Sequence, residues 1–148
     1  IHTYQNNIIK RAIKTPKLFF MDTGLLCYLT GWTTPKVLKN GAMSGNIFET
    51  FVVSEIFKSY SNSGNGTDGI YYYRDKDKRE IDLLIERGDT IHPIEIKKSG
   101  SVSKEWIKNF KALEKIPGKQ VGRGAVICLA QNRFPINDNA DALPIEYL

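Results

Sequence analysis

Apolar and polar positions along the chain repeat with changing periods, and these periods predict its elements. Four apolar residues near the start recur at helical spacing: Ile8, Ile9, Ala12 and Ile13. They predict a helix over residues 4–14 that ends before Pro16, because the residue preceding a proline avoids helical angles. Asp22 or Thr23 can then cap a short helix through residue 29. Residues 31–45 have the composition of a loop.

A wide apolar face begins at residue 44 and predicts a buried central helix. Three segments in succession are then typical of strands: residues 70–73, 79–86 and 90–97. The remaining predicted elements are a helix over residues 103–116, a buried strand over 125–130 and a last short strand over 144–148. This order of helix, three strands, helix and strand predicts an α/β fold with a mixed sheet.

Two of the predicted strands carry polar side chains on a common face. Three apolar residues of the first strand point to one side: Ile81, Leu83 and Ile85. Glu80 and Asp82 therefore point to the other side. On the next strand, Glu95 and Lys97 lie opposite two isoleucines. The pattern predicts that Asp82, Glu95 and Lys97 converge, with Glu80 as a second candidate ligand.

Asp82, twelve intervening residues and the motif Glu95-Ile96-Lys97 resemble the signature of PD-(D/E)xK nucleases, the restriction-endonuclease-like superfamily. The resemblance implies that this aspartate and the ExK residues form a catalytic site that holds Mg²⁺ or Mn²⁺. It also implies that Glu49, on the preceding helix, completes the set of catalytic residues and metal ligands. The implied fold is a restriction-endonuclease-like core over residues 44–130, with helices on both faces of a mixed sheet in αβββαβ order.

A second stretch resembles one family more closely. Residues 14–26 are similar to the opening of a nuclease-like domain of unknown function that typically follows an AAA-type ATPase in bacterial and archaeal proteins. The resemblance implies one domain, in which residues 1–43 form a helical extension packed on a core of residues 44–148. It implies a C-terminal fragment of a longer ATPase, whose ATPase domain becomes an expected partner. One departure is Ile81, which stands where the nuclease signature often has proline.

The chemistry of these residue types agrees with a metal site. Mg²⁺ takes oxygen ligands, with one or two carboxylates and retained waters, and Asp82, Glu95 and Glu49 can supply them directly or through water. The ion would polarise a phosphodiester and lower the pKa of bound water. Lys97 would orient or deprotonate that water, or neutralise charge on the phosphorane oxygens. The sequence thus predicts a metal-dependent phosphodiesterase acting on DNA or RNA.

Other interpretations of the same residues stay open. Carboxylates and lysines on one face of a hairpin are commonly its solvated face, with ion pairs of small value. The domain can instead be a non-catalytic nuclease-fold module for partner or nucleic-acid recognition in an AAA-type ATPase. A plain nucleic-acid-binding domain, which needs no metal, is a further alternative.

The net charge favours acidic partners. The 148 residues carry a formal charge of +5, which favours nucleic acid through phosphate neutralisation. The candidate phosphate contacts are Lys98, beside the ExK motif, and Lys104 and Lys108 on the second predicted helix. At α-helical spacing the latter two share one side with Lys111 and Lys115, and a solvated helix face is the alternative for that stripe.

Composition and motifs narrow the setting further. The sequence has no P-loop motif, so no ATP site of that type is expected within it. No apolar run approaches the roughly 20 residues of a membrane span, so no membrane association is expected. Cys27 and Cys128 stand in apolar segments and are expected to be core residues, which fits a reducing cytoplasm. The pattern leaves the oligomeric state open.

Overall fold

The computed structural model describes residues 1–5 and 15–148. Within them, helices accompany a seven-stranded mixed sheet. The strands are β1 Ile70–Arg74, β2 Glu80–Arg87, β3 Thr90–Lys97, β4 Gln120–Val121, β5 Gly124–Cys128, β6 Phe134–Asn137 and β7 Ala140–Pro144. Their order is β1-β2-β3-β5-β7-β6, and β4 pairs with β3. The predicted α/β class with a mixed sheet is confirmed.

The strand β3 joins the antiparallel and parallel parts of the sheet. It is antiparallel to β2 and parallel to β5, which is in turn parallel to β7. Gly88 makes the tight turn between β2 and β3 with a φ of 59°, a conformation that glycine adopts without strain. The predicted bounds of β3, residues 90–97, are confirmed.

Three α-helices and one long 3₁₀ helix occur in the described residues: α1 Thr23–Leu29, α2 Pro35–Asn40, α3 Ser44–Asn62 and the 3₁₀ helix Lys104–Lys115. Asp22 caps α1 as predicted, because its Oδ1 accepts a hydrogen bond from the Leu25 N–H at 2.9 Å. Of the helix predicted over residues 4–14, residues 6–14 lie outside the described residues. Across the described ranges, no helix combines the length and apolar content needed to span a bilayer.

The loop predicted over residues 31–45 is wrong in part, because α2 lies within it. Thr34 caps this helix by accepting a hydrogen bond from the Val37 N–H at 3.4 Å. Pro35 occupies the first turn, where its missing N–H costs nothing. A proline that looks like a chain breaker in the sequence is here a helix start.

The C-terminal region forms a hairpin that the sequence did not predict. β6 and β7 pair antiparallel, whereas the strand predicted over residues 144–148 is wrong, because those residues end β7 and enter a 3₁₀ turn, Ile145–Tyr147. Asp141 on β7 is buried, and its carboxylate accepts hydrogen bonds from Arg123 and from Arg133 Nη2, the latter at 2.7 Å. Because a charged residue interrupts this buried strand, its sequence lacks the continuous apolar pattern that would have predicted β7.

Each face of the sheet buries a separate apolar cluster. The first cluster joins α3 to one face through Val52, Val53, Ile56, Ile70, Leu83, Ile94, Ile96 and Ile127. The second joins the long 3₁₀ helix to the other face and includes Ile81, Leu84, Ile91, Ile107, Phe110, Leu113, Val126 and Cys128. The predicted covering of both faces by helices is therefore confirmed. Cys128 is a core residue as expected, whereas Cys27 is half-buried.

A bulge in β2 changes which of its residues share a face. Tyr71 pairs with Leu84 and Tyr73 pairs with Ile81, so one residue on β1 faces two on β2. As a result, Ile81 packs with Leu84 in the second cluster, whereas Leu83 packs in the first. The prediction that Ile81, Leu83 and Ile85 share one face is wrong for Ile81.

The helix predicted over residues 103–116 is a 3₁₀ helix, so its side chains align every three residues. Ile107, Phe110 and Leu113 form its buried row. Lys108 and Lys111 share an exposed row. At a spacing of three, Lys104 and Lys115 each lie on a different row from the one that Lys108 and Lys111 share. The single stripe predicted for all four lysines is therefore wrong.

Candidate metal centre

At the bulge in β2, the carboxylate of Asp82 is hydrogen-bonded to the backbone of β3. Pairing of β2 with β3 runs from Arg87 and Thr90 to Leu83 and Ile94. One step further on, Asp82 Oδ2 accepts a hydrogen bond from the Ile96 N–H at 2.8 Å. A strand N–H has little freedom to move, so this bond holds the carboxylate over the end of β3.

Lys97 joins the two carboxylates that the sequence predicted to converge. Its Nζ donates a hydrogen bond to Glu95 Oε2 at 2.6 Å and lies 3.4 Å from Asp82 Oδ2. Glu95 and Lys97 are two residues apart on β3 and therefore project from the same face. The Glu95 side chain is 6% exposed, against 34% for Lys97. The structure thus brings Asp82, Glu95 and Lys97 together.

The buried carboxyl of Glu95 is electrostatically strained. Burial, followed by the negative charge of Asp82, raises the pKa of Glu95 to about 8. The hydrogen bond from Lys97 opposes that rise without cancelling it. Burial likewise opposes the charge on Lys97, but Asp82 and Glu95 outweigh it, so the pKa of Lys97 is raised. The cluster therefore keeps its ammonium ion and favours one proton on Glu95.

Glu49 approaches the centre from α3. Burial and then the charge of Asp82 raise the pKa of Glu49, while Lys17 and Lys97 lower it. Its Oε1 lies 3.6 Å from Lys17 Nζ, which also lies 5.4 Å from the centroid of the Tyr72 ring. Sequence reasoning missed Lys17, because this partner comes from a distant segment and no local motif marks it. Glu49 is thus near the cluster but held by another lysine.

Two further sequence candidates have other partners. Lys98 Nζ donates a hydrogen bond to the carbonyl oxygen of Lys39 near the end of α2, a position that suits a cation. Glu80, the second candidate ligand, pairs with Arg74 at 3.4 Å. Among the described residues, neither side chain makes a hydrogen bond or ion pair with Asp82, Glu95 or Lys97.

The cluster offers two carboxylates, the type of ligand that Mg²⁺ and Mn²⁺ take from proteins. Among residues 1–5 and 15–148, no three His, Cys, Asp or Glu side chains lie close enough together to hold a metal ion. Asp82 and Glu95 still offer two carboxylates, which is the number Mg²⁺ commonly takes from protein alongside waters. The raised pKa of Glu95 means that added positive charge would be stabilised there. Ligation by these residues, and by Glu49, stays a prediction.

Comparisons with known proteins yield family matches. A model described as "Domain of unknown function (DUF4143)" matches residues 44–148. A second, described as "Domain of unknown function (DUF8612)", matches residues 1–36. No solved structure matches the chain significantly.

Two mycobacterial proteins are similar over nearly the whole chain. An uncharacterized protein of Mycobacterium tuberculosis and one of Mycobacterium bovis are each 28% identical over 144 residues. The match covers 96% of this chain and 30% of each relative, so the chain spans less than a third of their length. On the match over residues 44–148, the chain belongs to the family described as "Domain of unknown function (DUF4143)".

Proposed function

We propose that the domain is a metal-dependent phosphodiesterase, nuclease-like, with a restriction-endonuclease-like PD-(D/E)xK core and DNA or RNA as its substrate. The observation that carries the proposal is the contact of Lys97 with both Asp82 and Glu95 on neighbouring strands. A merely solvated strand face would leave these groups in water, yet Glu95 is almost fully buried. Buried carboxylates with perturbed pKa values are concentrated at functional sites.

The proposed roles follow from the contacts of each side chain. Asp82 and Glu95 would hold Mg²⁺ or Mn²⁺, and the ion would supply Lewis-acid chemistry at the phosphodiester. The Ile96 N–H keeps Asp82 oriented. Lys97, which stays protonated beside two carboxylates, would neutralise charge on the phosphoryl oxygens. Glu49 would assist through a water.

The first test is metal binding measured by calorimetry on the domain and on its Asp82→Ala variant. We expect Mg²⁺ or Mn²⁺ to bind the unmodified domain and binding to be lost in the variant. Glu80→Ala is the matched control, since Glu80 is a carboxylate of the same strand that pairs with Arg74 instead. Equal metal binding by the domain and its Asp82→Ala variant would contradict the proposed ligation.

The second test is cleavage of labelled single-stranded and double-stranded DNA and RNA. We expect Asp82→Ala and Lys97→Ala to reduce the rate by about a hundredfold or more, because each removes charge stabilisation in the transition state. Glu80→Ala should keep the rate, and circular dichroism should show that all three variants are folded. Unchanged cleavage by folded Asp82→Ala would refute the proposal.

A second candidate function is a non-catalytic module that binds the ATPase part of a longer protein. Domains of this family are found with AAA-type ATPases. The observation that favours it is a group of nine exposed large apolar side chains between residues 18 and 51, of which Leu18, Phe20 and Met43 line a common cleft: Leu18, Phe20, Met21, Leu25, Tyr28, Leu29, Val37, Met43 and Phe51. Concentrated exposed apolar area is typical of protein-binding surfaces.

Two measurements on the full-length protein, ATP hydrolysis and nucleic-acid cleavage, separate the two candidates. For a non-catalytic module, Asp82→Ala/Lys97→Ala leaves regulation of ATP hydrolysis unchanged, whereas Leu25→Asp/Tyr28→Asp alters it. For a phosphodiesterase, the first variant loses cleavage. Loss of ATPase regulation in Asp82→Ala/Lys97→Ala would count against the module.

A further inference from the structure

A cleft of about 610 Å³ lies beside the long 3₁₀ helix, on the sheet face that the helix covers. Lys104, Lys108 and Lys111 of that helix line it. Its lining also includes Lys119, before β4, and Asn139, between β6 and β7. The volume is within the range of roughly 300–1,000 Å³ that is typical of small-ligand sites.

The walls of the cleft have an excess of positive charge. Its lining contains four lysines and one acidic residue, Glu114. Lys119 is neutralised by Glu86 at 2.8 Å, and Lys108 has a long contact of 3.7 Å with Glu105. Within the described ranges, Lys104 and Lys111 make no ion pair. These two exposed ammonium groups are therefore available to an anionic ligand.

The cleft also has apolar and amide lining, which narrows the class of anion. Ile107, Phe110 and Val121 contribute apolar groups, and Asn137 and Asn139 contribute amides. A ligand with an apolar body, a polar edge and phosphates would complement the apolar groups, the amides and the lysines. A nucleotide combines these three features.

We propose that this cleft binds a nucleoside phosphate, either as a free nucleotide or as one unit of a single-stranded nucleic acid. Binding of a single-stranded nucleic acid, rather than of a free nucleotide, rests on the proposed function. The position of the cleft agrees with it. Pro93, which lines the cleft, and Glu95 are two residues apart on β3 and share a face, so the cleft and the Asp82–Lys97–Glu95 cluster lie on the same side of this strand. A strand bound in the cleft would lead toward that cluster.

The test measures binding by fluorescence anisotropy in EDTA, where a metal-dependent enzyme does not cleave. The two probes are a fluorescein-labelled oligothymidylate and N-methylanthraniloyl-ATP. The cleft variant is Lys104→Glu/Lys111→Glu, and the matched control is Lys36→Glu/Lys76→Glu, which alters two exposed lysines outside the cleft. Each Lys→Glu substitution lowers the net charge of the chain by 2. Each variant carries two of them, so both variants have a net charge of +1 instead of +5.

We expect at least one probe to bind and the cleft variant to weaken that binding about tenfold more than the control does, because the cleft lysines contact phosphate directly. Binding of the oligothymidylate alone identifies a strand site, and binding of the nucleotide as well identifies a nucleotide pocket. Equal weakening by both variants, or no binding of either probe, would overturn the proposal. Because the assay excludes metal, its result is independent of whether the domain cleaves.

Discussion

Replacing Glu95 with glutamine should change how the stability of the domain depends on pH. The pKa of this carboxyl is raised from 4.5 to about 8 in the folded protein. A raised carboxyl pKa means that its stabilising contribution is complete below about pH 4.5 and is lost as pH rises through about 8. The wild-type domain therefore loses stability across this window, and Glu95→Gln, which cannot ionise, does not.

The size of the effect follows from the shift in pKa. A difference of about 3.5 units at 1.36 kcal/mol per unit gives a limit of roughly 5 kcal/mol for full ionisation. Between about pH 5 and pH 7 the folded state keeps its proton while the unfolded state loses it. Over this interval the advantage of Glu95→Gln over wild type should grow by roughly 2–3 kcal/mol. Lys97 remains charged throughout, because its pKa is raised.

The assay is urea unfolding in EDTA at several pH values, followed by tryptophan fluorescence. Trp106 packs against the cluster that the 3₁₀ helix buries and should report its loss. Glu105→Gln is the control, because the Glu105 side chain is 79% exposed and the variant retains Glu95, so its stability should fall with rising pH as that of the wild type does. A constant difference between Glu95→Gln and wild type from about pH 5 to pH 8 would mean that Glu95 is ionised in the folded domain, and the electrostatic reasoning would be wrong.

Substitutions at three further positions test the scaffold by the same unfolding assay. Asp141→Asn should cost about 1–2 kcal/mol at neutral pH, since Arg123 and Arg133 lower the pKa of Asp141 to about 2, although both arginines are half exposed and water screens them. Because that pKa is lowered, the cost should vanish as pH falls from about 4 toward 2, and a cost independent of pH would contradict this. Gly124→Ala should cost about 1–3 kcal/mol, because the added Cβ would lie 2.6 Å from Phe110 Cε2. Asp22→Ala should cost about 1 kcal/mol by removing the cap of α1, and Asp22→Asn should recover most of that loss.

The parts of the fold that the sequence predicted well are those in which one local pattern decides the structure. The bounds of β3 follow from flanking turns and a compact β-prone segment. Asp22 before an apolar run marks the start of α1, and its side chain does cap the helix. Glu95 and Lys97 share a face because alternation along a regular strand cannot place them otherwise.

The errors occur where the structure departs from a regular period. A single extra residue in β2 moves Ile81 to the opposite face, and no sequence pattern marks that bulge. The 3₁₀ helix has a period of three, so an α-helical spacing misplaces Lys104 and Lys115. The salt bridge from Lys17 to Glu49 joins distant segments, and only the tertiary structure brings them together.

The extra residue in β2 makes the candidate centre separable from its scaffold. Removing Asp82 would leave Ile81 and Leu83 in ordinary alternation, each still facing the apolar cluster it occupies now. The ladder between β2 and β3 would also persist from Leu83 to Arg87. Deletion of Asp82 is therefore expected to remove one carboxylate of the candidate centre while both apolar clusters keep their present residues. The candidate centre and the two apolar cores can thus be tested apart by the deletion of a single residue.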